Sequence, residues 1–149
     1  MNPSIDDALS RAVAIAALGG VALVHVLQLP DAFAETFYLG LLFIGAIVSA
    51  SLLSVMLARS SDDRVWDAAA GLPALILLGY LVSRTVGLPD ATNDVGEWAE
   101  PLGLVSMVLE GLLVCLGAAV LAARGASFGV AFSGRGRRAP GALHTEPGA

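Results

Sequence analysis

The amino-acid sequence predicts an all-α, polytopic membrane protein with four transmembrane helices in an up-down antiparallel bundle and both termini in the cytoplasm. Three observations predict this fold class. Hydrophobic residues make up 56% of the 149-residue chain and charged residues 14%, whereas about 25% of a soluble domain is charged. Four apolar runs follow one another without an alternating strand pattern, and backbone groups in lipid must pair internally. The basic residues gather on one side of a four-span arrangement.

The predicted spans are about residues 11–29, 34–58, 66–86 and 101–123. Each approaches or exceeds the roughly 20 residues that a helix needs to cross a hydrocarbon layer of about 30 Å. The first run ends at Pro30 and resembles a signal peptide, but no small-x-small cleavage site follows, so we predict a retained span. Pro101 suits the first turn of the fourth helix, and Pro73 predicts a bend in the third. Residues 1–123 are therefore predicted to form one transmembrane domain.

Residues 124–149 differ from the spans in composition. They are rich in Gly, Ala, Ser, Pro and Arg and lack a sustained apolar face. This composition predicts a flexible basic cytoplasmic tail. Its arginines are positioned to contact anionic lipid headgroups, although a solvated tail is the simpler interpretation.

The orientation follows from the arginines. Those on one side of the four-span arrangement are Arg11, Arg59, Arg64, Arg124, Arg135, Arg137 and Arg138, whereas Arg84 falls toward the other side. The positive-inside rule then places both termini in the cytoplasm, for a multi-pass protein of the cytoplasmic (plasma) membrane. Trp66 is predicted to lie near the inner membrane boundary and Trp98 near the outer one.

Ionisable and aromatic-hydroxyl side chains at membrane depth are the main functional signal. The candidate residues for ligand binding or for a proton or ion relay are His25, Glu35, Tyr38, Tyr80, Arg84, Glu100 and Glu110. All belong to the outer, extracytoplasmic half of the predicted bundle, where Glu35 and Tyr38 open the second helix. Glu110 lies ten residues after Glu100, about 15 Å deeper and near the bilayer midplane. We expect it to face inward and to pair with a cation, contact water or bind a proton.

Two interpretations of this cluster remain open. In the structural one, Arg84 bridges to Glu100 or Glu110 and the buried charges fix the helix register, as in a non-catalytic accessory or assembly subunit of a membrane complex. In the functional one, which leads, the cluster lines a cavity open to the outer face and binds or transfers a small ligand, a cation or a proton. A surface for lipid or a partner protein is a third possibility.

Metal, cofactor and enzyme chemistry have little support in the sequence. Weak candidates for metal ligands are His25, Glu35, Glu100 and Glu110, without the spacing of a known motif. His144 lies in the predicted tail on the opposite side, which disfavours a bis-His haem, and no motif indicates any other cofactor. Cys115 sits in an apolar run and is predicted to be a packing residue. No nucleophile–base pair can be identified from spacing, so an enzyme is the least supported class, and nucleic-acid binding is set aside.

The predicted partners are the lipid bilayer and a second protein. Four short helices enclose little volume, which suggests a homodimer or a place in a membrane complex.

Three stretches, PDAFAETFYLG, YLVSRTVGLP and EPLGLVSMVLEG, resemble those of uncharacterised small four-helix integral membrane proteins of actinobacteria. The resemblance covers the membrane portion and neither tail. It places the recognisable positions at Glu35, Tyr38, Ser83, Arg84, Pro89, Glu100, Pro101, Gly103 and Glu110. It implies a four-helix fold in a bacterial membrane, and it implies no activity, substrate or cofactor.

Overall fold

The computed structural model describes residues 3–60 and 62–135, and this part of the chain is built from four α-helices. They are α1 (Pro3–Glu35), α2 (Phe37–Arg59), α3 (Asp63–Thr85) and α4 (Pro101–Arg135). Each of the four contains a segment long and apolar enough to cross a membrane. The predicted all-helical, four-helix architecture is therefore confirmed.

Each helix packs against its neighbours in the chain, and α4 closes the bundle against α1. The pairs of contacting residues show the relative direction of two helices. Between α1 and α4, Asp7 pairs with Arg124 at one end and Gln28 with Glu100 at the other. Residue numbers rise on one helix as they fall on the other, so the two run antiparallel. Contacts between α1 and α2 and between α3 and α4 follow the same pattern, as expected for an up-down bundle.

The junction of α1 and α2 differs from the prediction. Pro30 lies inside α1, which continues to Glu35, and Thr36 caps α2 by accepting a hydrogen bond from the Leu39 backbone N–H at 3.4 Å. Proline removes one backbone donor, but the Ala32 carbonyl still accepts from the Thr36 N–H at 3.1 Å, so the helical ladder resumes. Glu35 therefore ends α1, and the expectation that it opens the second helix is wrong.

The far end of α4 also differs from the prediction. The helix continues through Arg124 to Arg135 instead of ending at Ala123. No proline interrupts residues 124–135, and Arg124 is held by two carboxylates, Nη1 lying 2.6 Å from Asp63 Oδ1 and Nη2 2.9 Å from Asp7 Oδ1. The part of the predicted tail up to Arg135 is thus helical, and residues 136–149 lie outside the described residues.

We call the end of the bundle formed by the α1–α2 junction and residues 86–100 the loop end. The interior toward the opposite end is an apolar cluster of Ala14, Ala17, Leu18, Val21, Ala50, Leu53, Leu57, Val65, Trp66, Ala69 and Leu113. Trp66 is 1% exposed and lies under the Arg124 guanidinium, at the end of the bundle opposite to the loop end. Its position near the inner membrane boundary stays a prediction. The buried polar side chains of the described residues are His25, Ser83, Arg84, Ser106 and Glu110. They occupy the middle of the bundle and its loop end.

Residues 86–100 cross the loop end and are called the cap segment below. Gly87 and Gly96 have φ of 84° and 88°, a region that glycine adopts without steric cost. Ala91 is buried against Ala32 and Leu39 at the α1–α2 junction. The cap segment, which leaves α3, thus reaches across to the other helix pair and covers this end of the interior.

Candidate functional site

Arg84 is the centre of the polar cluster at the loop end. It sits in the last turn of α3 and is 6% exposed. Its Nη1 lies 2.7 Å from Asp94 Oδ2 and its Nη2 4.0 Å from Glu100 Oε2. The guanidinium carbon lies 4.9 Å from the centre of the Tyr80 ring, a cation–π distance. The buried charge of Arg84 is therefore balanced by two carboxylates and an aromatic face.

Asp94, in the cap segment, is the residue that sequence reasoning missed. Its Oδ2 also accepts a hydrogen bond from Ser83 Oγ at 3.2 Å, and its carbonyl accepts from Arg84 Nη1 at 3.4 Å. The Gly96 N–H in turn donates to the Arg84 carbonyl at 3.0 Å. Helical periodicity carries no information about a loop, so only the abundance of acidic residues after Arg84 could have indicated this partner.

Glu100 caps the N-terminus of α4. Its Oε1 accepts from the Leu102 N–H at 3.0 Å and its Oε2 accepts from the Gly103 N–H, which satisfies two donors that a helix start leaves free. Gln28 Nε2 on α1 donates to the same Oε2 at 3.0 Å. A Cβ at Gly103 would lie 2.7 Å from Glu100 Oε2 and 2.9 Å from Tyr80 Cε2. The close approach of these groups therefore requires glycine at that position.

Glu110 is separate from the arginine cluster. It is 1% exposed, and Ser106 Oγ donates to its Oε1 at 2.6 Å. At 1.5 Å per residue it lies about 15 Å further along α4 than Glu100. The ion pairs of Arg84 in the described structure are with Asp94 and Glu100. Of the two bridges considered from the sequence, Arg84–Glu110 is thus not formed and Arg84–Glu100 is formed at long range.

His25 occupies the α1 side of the interior. It is 5% exposed, and its Nδ1 lies 2.9 Å from the Val21 carbonyl oxygen one turn earlier. A carbonyl only accepts, so Nδ1 carries a hydrogen and donates it to Val21. The Phe43 ring of α2 lies 4.9 Å from the imidazole. His25 is therefore held in one orientation by its hydrogen bond at Nδ1 and by the packing of Phe43.

Glu35 and Tyr38 flank the cap segment. The Tyr38 hydroxyl donates to the Pro89 carbonyl at 2.6 Å. Glu35 interacts electrostatically with Arg84 and Asp94, and its buried Oε1 has no hydrogen-bond partner within the described residues. Both side chains thus lie at the rim of the cluster.

The structure gathers part of the predicted set. Tyr80, Arg84 and Glu100 are in contact, whereas His25 and Glu110 lie deeper, on different helices. The metal candidates His25, Glu35, Glu100 and Glu110 are not assembled, because no three His, Cys, Asp or Glu residues of the described ranges are placed to hold an ion.

Several of the polar residues described above lie in one row along the inward face of α4. Glu100, Gly103, Ser106 and Glu110 follow one another at intervals of three or four residues, the spacing of one helix face. The next inward positions are Leu113 and Gly117, both buried. Counted from the loop end, Glu110 is the last polar group of the row, and an apolar interior follows it.

No protein-family model, no curated protein and no solved structure matches this chain. The resemblance to small four-helix membrane proteins of actinobacteria therefore stays a prediction. Any role for the site has to come from its own geometry, and above all from Glu110.

Proposed function

We propose that the protein is a multi-pass protein of the cytoplasmic membrane that reversibly binds a proton or a small cation at Glu110. One observation carries this proposal: a carboxyl group that is 1% exposed lies near the middle of a helix long enough to cross a membrane. The resemblance to small membrane proteins of actinobacteria agrees with the membrane location.

A carboxylate at this depth needs a neutralising partner. An unpaired charge inside a bilayer costs several kcal/mol, and the Ser106 hydroxyl supplies one neutral hydrogen bond. Arg84 does not supply the charge, because its ion pairs are with Asp94 and Glu100. A proton on the carboxyl, or a cation beside it, removes this cost. Binding and release of that proton or cation is the chemistry proposed for the site.

The distribution of polar groups supports exchange through the loop end. Ser106, His25 and the Arg84 cluster lie between Glu110 and the cap segment. Toward the opposite end, the interior cluster consists of apolar residues such as Leu18, Leu57 and Trp66. With the arginine-rich end in the cytoplasm, exchange would occur with the extracytoplasmic side. This arrangement favours a binding site open to one side over a continuous path across the membrane.

Carbodiimide labelling tests the proposal. Dicyclohexylcarbodiimide partitions into apolar interiors and adds covalently to a protonated carboxyl group. We expect mass spectrometry of the detergent-purified protein to find the adduct on Glu110, with less labelling as the pH rises and the carboxyl loses its proton. Competition by Na⁺ or Li⁺ would identify a cation as a second ligand. Absence of labelling at Glu110 across the pH range would contradict the proposal.

The matched control for this experiment is Glu97→Gln. Glu97 is an exposed acid of the cap segment, so its substitution should leave the labelling of Glu110 unchanged. Glu110→Gln should abolish that labelling, while the protein stays folded and monodisperse in detergent.

A second candidate function, an accessory or assembly subunit, is favoured by a different observation. Arg84 joins α3 to two carboxylates of the cap segment, and at the other end of the bundle Arg124 joins α4 to carboxylates of α1 and α3. In that role the charges hold the helices in register, and the function lies in contact with a partner or a second copy. Two results would favour this candidate. Neither cations nor a change of pH would shift the melting temperature, and Arg84→Leu would strongly destabilise the protein.

A further inference from the structure

The bundle has an open groove between α2 and α3. Its volume is about 460 Å³, and its lining is apolar, with Leu52 and Met56 on α2 and Ala68, Gly71 and Leu72 on α3. A Cβ at Gly71 would meet nothing within 4 Å, so the missing side chain keeps the groove open. The groove therefore offers an apolar surface on which a hydrocarbon chain can pack.

Two arginines lie beyond the end of this groove that is nearest to the α2–α3 connection. Arg59 lies three residues after Met56 at the end of α2, and Arg64 lies four residues before Ala68 at the start of α3. Residues three or four apart share a helix face, so both extend the groove lining toward the connection between the two helices. Both side chains are exposed. Positive charge therefore meets the groove where it reaches the end of the spans.

These two guanidinium groups differ from those of Arg84 and Arg124. Each of the latter has two carboxylate partners, whereas the ion pairs among the described residues include neither Arg59 nor Arg64. Of the neighbouring acids, Asp67 is exposed three residues after Arg64, and the other two have partners. Asp62 Oδ1 accepts from the Arg64 backbone N–H at 2.9 Å, and Asp63 Oδ1 lies 2.6 Å from Arg124 Nη1. The two arginine side chains are thus available to an anion from outside the chain.

We infer that the α2–α3 groove binds an anionic phospholipid, with one acyl chain in the groove and the phosphate between Arg59 and Arg64. Charge complementarity favours this ligand, because a phospholipid joins an apolar chain to an anionic group, and the apolar groove ends beside two arginines that no ion pair among the described residues includes. Arginine donates several hydrogen bonds to phosphate oxygens in a fixed planar geometry. The inference rests on the membrane insertion proposed above and is independent of Glu110.

Native mass spectrometry of the detergent-solubilised protein tests it. Dioleoylphosphatidylglycerol and dioleoylphosphatidylcholine are titrated separately, and the ratio of their dissociation constants gives the preference for the anionic headgroup. We expect the wild type to prefer the anionic dioleoylphosphatidylglycerol. Arg59→Gln and Arg64→Gln should each reduce that preference about fivefold, and the double variant about 25-fold. A double variant that keeps the full preference overturns the inference.

The acyl-chain part has its own variant and control. Gly71→Leu fills the groove and should weaken binding of both lipids at least tenfold. Gly19→Leu adds the same side chain at an exposed position of α1 where a Cβ also meets nothing within 4 Å, and it should bind as the wild type does. If Gly71→Leu leaves lipid binding intact but dissociates a dimer in the same spectra, the groove is a protein interface and the inference is wrong. Glu110→Gln should bind both lipids normally, which separates this test from that of the proposed function.

Discussion

The Arg84 guanidinium and the Asp94 carboxylate form an ion pair, 2.7 Å between Nη1 and Oδ2, that joins the end of α3 to the cap segment. Arg84 is 6% exposed, whereas the Asp94 side chain is 43% exposed. The pair therefore spans the border between the interior and the outside. Loss of Asp94 would leave the buried Arg84 guanidinium without its nearest counter-charge, whereas loss of Arg84 would leave a carboxylate that water can still solvate.

Asp94→Asn should loosen the cap segment without unfolding the bundle. The substitution removes the charge that balances Arg84 and weakens the bond from Ser83. We expect a local loss of about 1–2 kcal/mol, hence roughly five- to thirtyfold faster hydrogen exchange at the Gly96 N–H, which donates to the Arg84 carbonyl. Glu97→Gln, an exposed neighbour, is the control and should leave that exchange rate unchanged. Equal rates in Asp94→Asn and the wild type would show that the ion pair does not hold the cap.

Gly103→Ala should destabilise the protein, whereas Gly111→Ala on the same helix should not. A Cβ at Gly103 would overlap Glu100 Oε2 and the Tyr80 ring, but at Gly111 it would meet nothing within 4 Å. We expect a loss of about 1–3 kcal/mol at Gly103 and a gain of about 0.5–1 kcal/mol at Gly111 from the higher helix propensity of alanine. Thermal unfolding in detergent measures both. Equal melting temperatures for the two variants would contradict the packing described at Glu100.

Arg124→Gln should lower the stability of the opposite end of the bundle. Its guanidinium joins Asp7 of α1 to Asp63 of α3. Partly exposed pairs contribute little singly, so we expect about 1–2 kcal/mol for the two together. The difference from the wild type in melting temperature should shrink as NaCl is added, because salt screens these charges. Glu97→Gln removes an exposed charge that no ion pair among the described residues includes, and it should leave the melting temperature unchanged. A loss independent of salt would argue against an electrostatic contribution.

Much of the fold could be predicted from the sequence. The apolar runs were long enough to define four helices, and the polar residues of the fourth run shared one face, which predicted an inward Glu110. The chain continues through Pro30 because one missing donor does not end a helix whose next residues favour it. Trp66 is buried in the apolar cluster with Arg124 over its ring, a contact between α3 and α4 that the pattern of one helix does not contain.

The candidate site was predicted less completely. Arg84, Tyr80 and Glu100 could be grouped because helix spacing places them at the same end of the bundle. Asp94 could not be identified, since the path of the cap segment depends on the packing of Ala91 and the turns at Gly87 and Gly96. The separation of Glu110 from Arg84 depends on how far α3 and α4 are shifted along each other's axes. The sequence pattern of one helix does not contain this information.

Infrared difference spectroscopy of the protonated carboxyl group tests the central claim most directly. A spectrum taken at acid pH minus one taken at alkaline pH should contain a C=O stretching band from Glu110 that is missing in Glu110→Gln and shifted in Ser106→Ala, where the hydrogen bond from Ser106 Oγ is lost. Such a band, titrating reversibly in the folded protein, is the result that proton binding at Glu110 predicts. Identical difference spectra for the wild type and Glu110→Gln would contradict it.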